Sequence, residues 1–302
     1  MLRSILVTGA NGLVGTDLVT RLGADRVIAS DVTASPEVAD VRDLPRLEEI
    51  ITKYKIRTVY HLAGLLSVGG EKNPALAWDV NVNGLKNILD LAAKYHLRVF
   101  WPSSIAAFGP TTPKIHTPQH TILEPTTIYG ATKVAGELLC RYYFLKYGVD
   151  VRSLRYPGLI AWAAPPGDGT TEYAVHIFYA ALKFNHYTCF LKSDSALPMM
   201  FIDDAITGTI NLMSAPADHL SVRTSYNFSA LSFSPQQLVD EIARQNPGFT
   251  CDYRPDFRQD IADSWPQSID DSAARRDWAW QPEYDLPKLV SVMLTNLTHA
   301  VK

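Results

Sequence analysis

A doubly wound parallel α/β sheet is the fold class this sequence predicts, and three observations predict it. Short β-branched apolar runs alternate with segments of helical periodicity through the first half of the chain. A glycine-rich turn, "VTGANGLVG", joins the first such run to the first helical segment, and Asp31 closes the second run. Together these specify a Rossmann-type sheet, with a smaller, discontinuous C-terminal lobe for substrate.

In order along the chain, residues 4–10, 26–31, 57–64, 98–104 and 150–158 read as strands buried on both faces. Between them, residues 13–23, 44–54, 81–96 and 132–148 carry apolar side chains at helical spacing; the last two end near a glycine or a basic residue, as helix C-termini do. Regularity falls after Gly158, where residues 159–200 are rich in Gly, Pro and aromatics. "PMMFIDDAITGTINLM" (198–213) returns to strand then helix, and from 226 onward the elements are short, with many Pro and Asp. The expected division is a nucleotide-binding lobe of residues 1–158 plus about 199–225. The second lobe takes about 159–198 plus 226–302, with the ligand crevice between the two.

The 302 residues are 47% hydrophobic and 20% charged, enough apolar material for a sizeable core. A net charge of −3 gives no electrostatic reason to expect nucleic acid or an anionic membrane as partner. Cys140, Cys189 and Cys251 are scattered and odd in number, which argues for a reducing compartment and against a cysteine-based zinc site; no metal is expected. No apolar run reaches transmembrane length, and no leader is expected ahead of the first strand. The expectation is a soluble intracellular protein, cytoplasmic in a bacterium or, with a transit peptide removed, in a mitochondrial matrix.

Gly9, Gly12 and Gly15 space the turn so that the backbone around Asn11 and Leu13 can approach a pyrophosphate at a helix N-terminus. Asp31 lies where a carboxylate accepts hydrogen bonds from the adenosine ribose hydroxyls and repels a 2′-phosphate. No arginine follows it directly, so NAD is favoured over NADP. Asp40 and Val41, in "ADVRD", are candidates to bracket the adenine edge and face.

Tyr129 and Lys133 stand four positions apart at the start of a helical segment and so share a face. A free phenol, with a pKa near 10, is too weakly acidic to serve as a base at neutral pH. An adjacent ammonium, with the positive charge of an oxidised nicotinamide, would favour the phenolate. Tyr129 is therefore the candidate base for a substrate alcohol, and Lys133 the group that tunes it and holds the nicotinamide ribose. Ser104, at the C-terminal end of the 98–104 strand, can orient the reacting oxygen. The long connection over 109–127 is expected to be a wall or lid.

The glycine turn, Ser104 and the Tyr129/Lys133 pair, with "HLAG" (61–64), "NVNG" (81–84) and "FIDD" (201–204), resemble the extended short-chain dehydrogenase/reductase superfamily over nearly the whole chain. That resemblance implies that Leu62, Ala63, Asn81 and Tyr156 also contact the cofactor. Many members act on nucleotide sugars, but residues 161–182 contain no Lys or Arg to hold a diphosphate. "RYPGLI", "GDGTTEYAVHIF", "LPMMFIDD", "YNFSALSFSP" and "RQDIADSWPQSIDDSAARRDWAW" are instead similar to the short-chain threonine 3-dehydrogenases. The resemblance implies NAD-dependent oxidation of L-threonine to 2-amino-3-oxobutyrate. Substrate contacts would come from Ser67, Ser104, Tyr129, Gly169, Thr170 and Thr171. It implies a homodimer formed through the Tyr-bearing helix and the helix after "NVNG". A nucleotide-sugar epimerase or dehydratase of the same superfamily is the alternative.

Overall fold

Continuous apolar runs, flanked by amphipathic helices, build the layers of a computed structural model that describes residues 4–300. The nucleotide half contains β1 (Ile5–Thr8), α1 (Leu13–Leu22), β2 (Val27–Asp31), β3 (Glu37–Val38), α2 (Leu44–Lys53) and β4 (Thr58–His61). Then come α3 (Ser67–Lys72), α4 (Pro74–Trp78), a π-helical turn (Asp79–Asn83), α5 (Gly84–Tyr95), β5 (Arg98–Ser104), α6 (Ile128–Tyr147) and β6 (Val151–Tyr156). The remainder is β7 (Gly158–Ile160), α7 (Tyr173–Phe184), β8 (His186–Cys189), β9 (Leu197–Phe201), α8 (Ile202–Ser214), β10 (Tyr226–Asn227), β11 (Leu231–Phe233), α9 (Pro235–Gln245), β12 (Thr250–Tyr253), α10 (Arg258–Ser264), α11 (Ser272–Trp278) and α12 (Leu286–Ala300).

Seven strands form the main sheet in the order β3-β2-β1-β4-β5-β6-β10, every pair parallel. The chain reverses direction across the sheet between β1 and β4, the switch point where such folds bind ligands. Side-chain alternation divides the core: Leu6, Val59, Val99 and Trp101 pack on one face with α2 and α5 residues such as Ile50 and Ile88. Val7, Tyr60, Phe100 and Leu154 pack on the other, continuous with the second half's core.

Local chemistry sets the helices. The Asp43 side chain accepts the Arg46 N–H at 3.0 Å to cap α2, whose Leu47, Ile50 and Ile51 are buried at i, i+3, i+4 spacing. Thr127 caps α6 through the Gly130 N–H at 3.1 Å, and Gly148, at φ 67°, ends it. The buried face of α6 departs from the apolar rule: it carries Thr132, Lys133, Gly136 and Glu137. At Gly136 a Cβ would collide with the Trp101 ring, so glycine brings this polar face against β5.

Three expectations change. β10 joins the main sheet, so the division at 225 falls just ahead of a nucleotide-lobe strand; β9, assigned to that lobe, lies in a separate sheet of order β11-β9-β7. A two-residue strand has no periodicity to read. Residues 1–3 and 301–302, within the expected lobes, lie outside the described residues. The helix expected over 81–96 is continuous with α4 through the π turn. No residue of 109–127 lines the cleft described below. That segment is tied instead to the C-terminal half, by the Thr117–Ile269 bridge and by Gln119 Nε2 donating to the Ser225 carbonyl at 2.7 Å.

Candidate active site

At the C-terminal ends of the sheet strands lies a cleft of about 530 Å³. One wall is the glycine turn between β1 and α1. Gly9 sits at φ +70°, and a Cβ there would lie 2.6 Å from the Ala63 nitrogen, so this close passage admits glycine only. Gly12, at the N-cap of α1, offers no side-chain acceptor, which leaves the first amides of the helix available. A backbone cradle at an uncapped helix N-terminus fits the pyrophosphate of a dinucleotide.

The floor is the end of β5 facing α6. Ser104, Tyr129 and Lys133 all line the cleft. Lys133 is nearly buried and donates from Nζ to the Pro102 carbonyl at 2.6 Å; its ammonium lies 4.7 Å from the Trp101 ring centroid and 5.3 Å from that of Tyr129. Desolvation pushes the Tyr129 phenol up to about 12, against the pull of a hydrogen bond with Ser104. Desolvation also brings Lys133 down to about 7, with Cys140 and Glu137 acting in the opposite direction. The expected lowering of the phenol by its lysine is therefore absent from the protein alone. Removal from water outweighs the neighbouring charge and drives both groups toward neutrality.

The far wall comes from β7 and the segment after it: Pro157, Gly158, Gly167–Glu172 and, from beyond α10, Trp265. Thr170 and Thr171 open a short 3₁₀ turn, and Ser67 closes the rim at the start of α3. Asp168 and Glu172 add two carboxylates, and Lys133 is the only Lys or Arg among the lining residues. Burial pushes the Glu172 carboxyl above its usual value, opposed by the Gly167 N–H it accepts at 3.0 Å.

The sequence-predicted residues divide into two groups. Gly9, Gly12, Leu13, Gly15, Leu62, Ser67, Ser104, Tyr129, Lys133, Tyr156, Gly169, Thr170 and Thr171 converge on the cleft. Tyr156 presents little more than an edge, its hydroxyl bonded to Thr209 and its ring between Phe100 and Phe228. The others stand outside the lining. Asp31 is at the tip of β2, accepting the Asn11 N–H at 3.0 Å, beside the glycine turn as a ribose partner should be. Asp40 is paired with Arg42 at 2.6 Å, and the buried Val41 side chain packs on Gly84 rather than facing the cleft. Ala63 passes behind Gly9. Asn81, in the π turn, is a buried brace: its amide accepts the Leu65 N–H at 2.8 Å and donates to the Leu65 carbonyl at 3.0 Å and to the Thr132 hydroxyl at 3.1 Å. Sequence reasoning singled out neither Glu172 nor Trp265. The signals were the residue after "GTT" and the "DSWP" turn.

The model of the NAD dependent epimerase/dehydratase family matches residues 5–228. An uncharacterized epimerase/dehydratase of Staphylococcus haemolyticus is 48% identical, with 96% of each chain covered. Among solved structures, an L-threonine dehydrogenase from Phytophthora infestans superposes with a TM-score of 0.96 at 51% identity, covering 98% of this chain and 99% of that one. A monomeric L-threonine 3-dehydrogenase from a metagenome database, in its apo form, gives 0.94 at 49% identity, covering 99% and 100%.

Proposed function

This chain belongs to the NAD-dependent epimerase/dehydratase family, and from that premise we propose that it oxidises the β-carbon of L-threonine, forming 2-amino-3-oxobutyrate and NADH. NAD supplies the hydride acceptor. The glycine turn and the α1 amides hold its pyrophosphate, and Asp31 its adenosine ribose. Tyr129 takes the proton of the β-hydroxyl, Ser104 orients that oxygen, and Lys133 supports the phenolate. Lys133, brought down to about 7, reaches full charge in the presence of an anionic neighbour, and the phenolate it supports is that anion.

The observation that carries the substrate assignment is the charge of the cleft: one lysine against two carboxylates. A nucleotide sugar's diphosphate would meet Asp168 and Glu172, whereas the ammonium of a small amino acid is matched by them. Ser67, Thr170 and Thr171 offer hydroxyls to the substrate carboxylate, and Gly169 leaves the backbone open beside them. NADH absorbance with L-threonine, L-serine and UDP-sugars tests this. L-Threonine should reduce NAD, and L-serine more weakly, since one missing methyl typically costs about 1–3 kcal/mol. Epimerisation of a UDP-sugar without threonine-dependent NADH would overturn the assignment in favour of the epimerase reading.

A homodimer is part of the proposal. Leu138, Tyr142 and Leu145 form an apolar stripe on the outer face of α6, each at least half exposed. Light scattering should give twice the chain mass; a single chain mass would place this protein with its monomeric relative. Among the described residues no helix is long and apolar enough to cross a membrane. The free, largely buried cysteines fit the proposed reducing compartment.

A further inference from the structure

The end of β5 meets α6 in three successive rungs. Ser104 faces Tyr129, the Pro102 carbonyl accepts Lys133 Nζ at 2.6 Å, and between them Ser103 Oγ donates to Glu137 Oε1 at 2.7 Å. Tyr129, Lys133 and Glu137 are spaced i, i+4, i+8 and so share one face of the helix. Glu137 and Arg155 are almost wholly buried. Arg155, on β6, grips the Glu137 carboxylate with two parallel bonds, Nε to Oε1 at 2.9 Å and Nη2 to Oε2 at 2.7 Å. Its Nη1 continues to Asn227 Oδ1 at 2.8 Å and to the Gln119 carbonyl at 3.1 Å, so no arm of the guanidinium is idle.

A fully desolvated ion pair is rarely the cheapest way to stabilise a core, since apolar side chains of the same volume serve as well. Its placement one turn beyond the lysine and one residue from the serine calls for another account. We propose that Ser103, Glu137 and Arg155 are positioning residues that lock the register of α6 on β5 and so hold Ser104, Tyr129 and Lys133 in reacting geometry. This rests on the reading of Tyr129 and Lys133 as the reacting pair. Cys140 and the Glu137 carboxylate both favour the Lys133 ammonium, which gives Glu137 a second effect. Facing that ammonium are Tyr129, Glu137 and Cys140 from α6, His61 from β4, and the Trp101 ring and Pro102 carbonyl from β5. Arg155 stands behind Glu137 and tempers its charge.

The two roles separate experimentally. Ser103→Ala removes the rung and leaves the ion pair intact, so kcat should fall about tenfold or more, with KM for NAD within about twofold. Ser103→Thr, which keeps the hydroxyl, should recover most of that loss. Glu137→Gln keeps an acceptor for Ser103 but removes the charge; the rising limb of the kcat–pH profile should move to higher pH, because the cation supporting the phenolate is weakened. If Glu137→Gln does not fold, with Arg155 left unpaired, Ser103→Ala decides alone. Turnover within about twofold of the parent in Ser103→Ala, with Tyr129→Phe inactive, overturns the inference. So does a variant whose only change is a lower Tm. A Tyr129→Phe enzyme that still turns over overturns the reacting pair itself, and the inference with it.

Discussion

The two walls of the cleft are built differently. The nucleotide side stands on the end of β5, the first turns of α6 and the glycine turn between β1 and α1, all anchored by the apolar cores on the two faces of the sheet. The groups proposed to react there are few, desolvated and driven toward neutrality, Tyr129 to about 12 and Lys133 to about 7. The opposite wall is the short strand end at 157–159, the loop and 3₁₀ turn of 167–172 and Trp265, and carries hydroxyls and carboxylates. Proton and hydride chemistry tolerates little misplacement, so it sits on rigid elements, whereas recognition of a substrate is adjusted at the loops. The difference teaches that changes on the first wall should alter turnover and changes on the second should alter affinity.

Tyr129→Phe is the strongest test. The ring and its packing survive while the ionising hydroxyl is lost, so turnover should fall by roughly 10²–10⁴-fold with NAD binding kept, checked by kcat and by titration of the cofactor. Ser104→Ala should be milder, because the base remains. On the other wall, Thr171→Ala should raise KM for threonine several-fold and leave KM for NAD and kcat nearly alone. A fall in kcat equal to that in kcat/KM would erase the contrast. Asp31→Ser sharpens it on the cofactor side: KM for NAD should rise and the gap to NADP narrow, with KM for threonine unchanged.

The smallest effect is one of stability. His61, wholly buried beside Thr8, is held down to about 3 by desolvation and by Lys133. A histidine whose folded value lies below its unfolded one takes up its proton first in the unfolded chain, so stability is lost as pH falls below about 6.5. Between pH 6.5 and 5 this should cost roughly 1.5 kcal/mol, ahead of the carboxylates, and His61→Gln should flatten that part of the Tm profile.

The strands of the nucleotide half were legible because burial on both faces writes continuous apolar runs; β3 and β10, two residues each, have no room for a pattern. Tyr129, Lys133 and Ser104 were legible from local spacing and strand-end position. Trp265 reaches the cleft by tertiary folding, so no spacing marked it, whereas Glu172 directly follows the predicted Thr171. That the Val41 side chain packs against Gly84 was not readable from "ADVRD", because only the fold brings the two together. The directions taken by the Tyr129 and Lys133 protons were out of reach as well, because desolvation belongs to packing rather than to sequence.

The π turn at Asp79–Asn83 makes chain length itself a working part of the site. A π turn holds one residue more than the α turn it interrupts, and is in effect an inserted residue absorbed without breaking the helix. Removing a single residue there would let Pro74–Tyr95 relax into an unbroken α-helix, turning the N-terminal part of that helix by about 100° relative to its C-terminal part. Asn81 could then no longer clasp both polar groups of Leu65, and the strip of backbone leading to Ser67 at the cleft rim would come unlatched. By this account the segment is intolerant of a one-residue deletion even though almost any single side chain on its outer face could be exchanged.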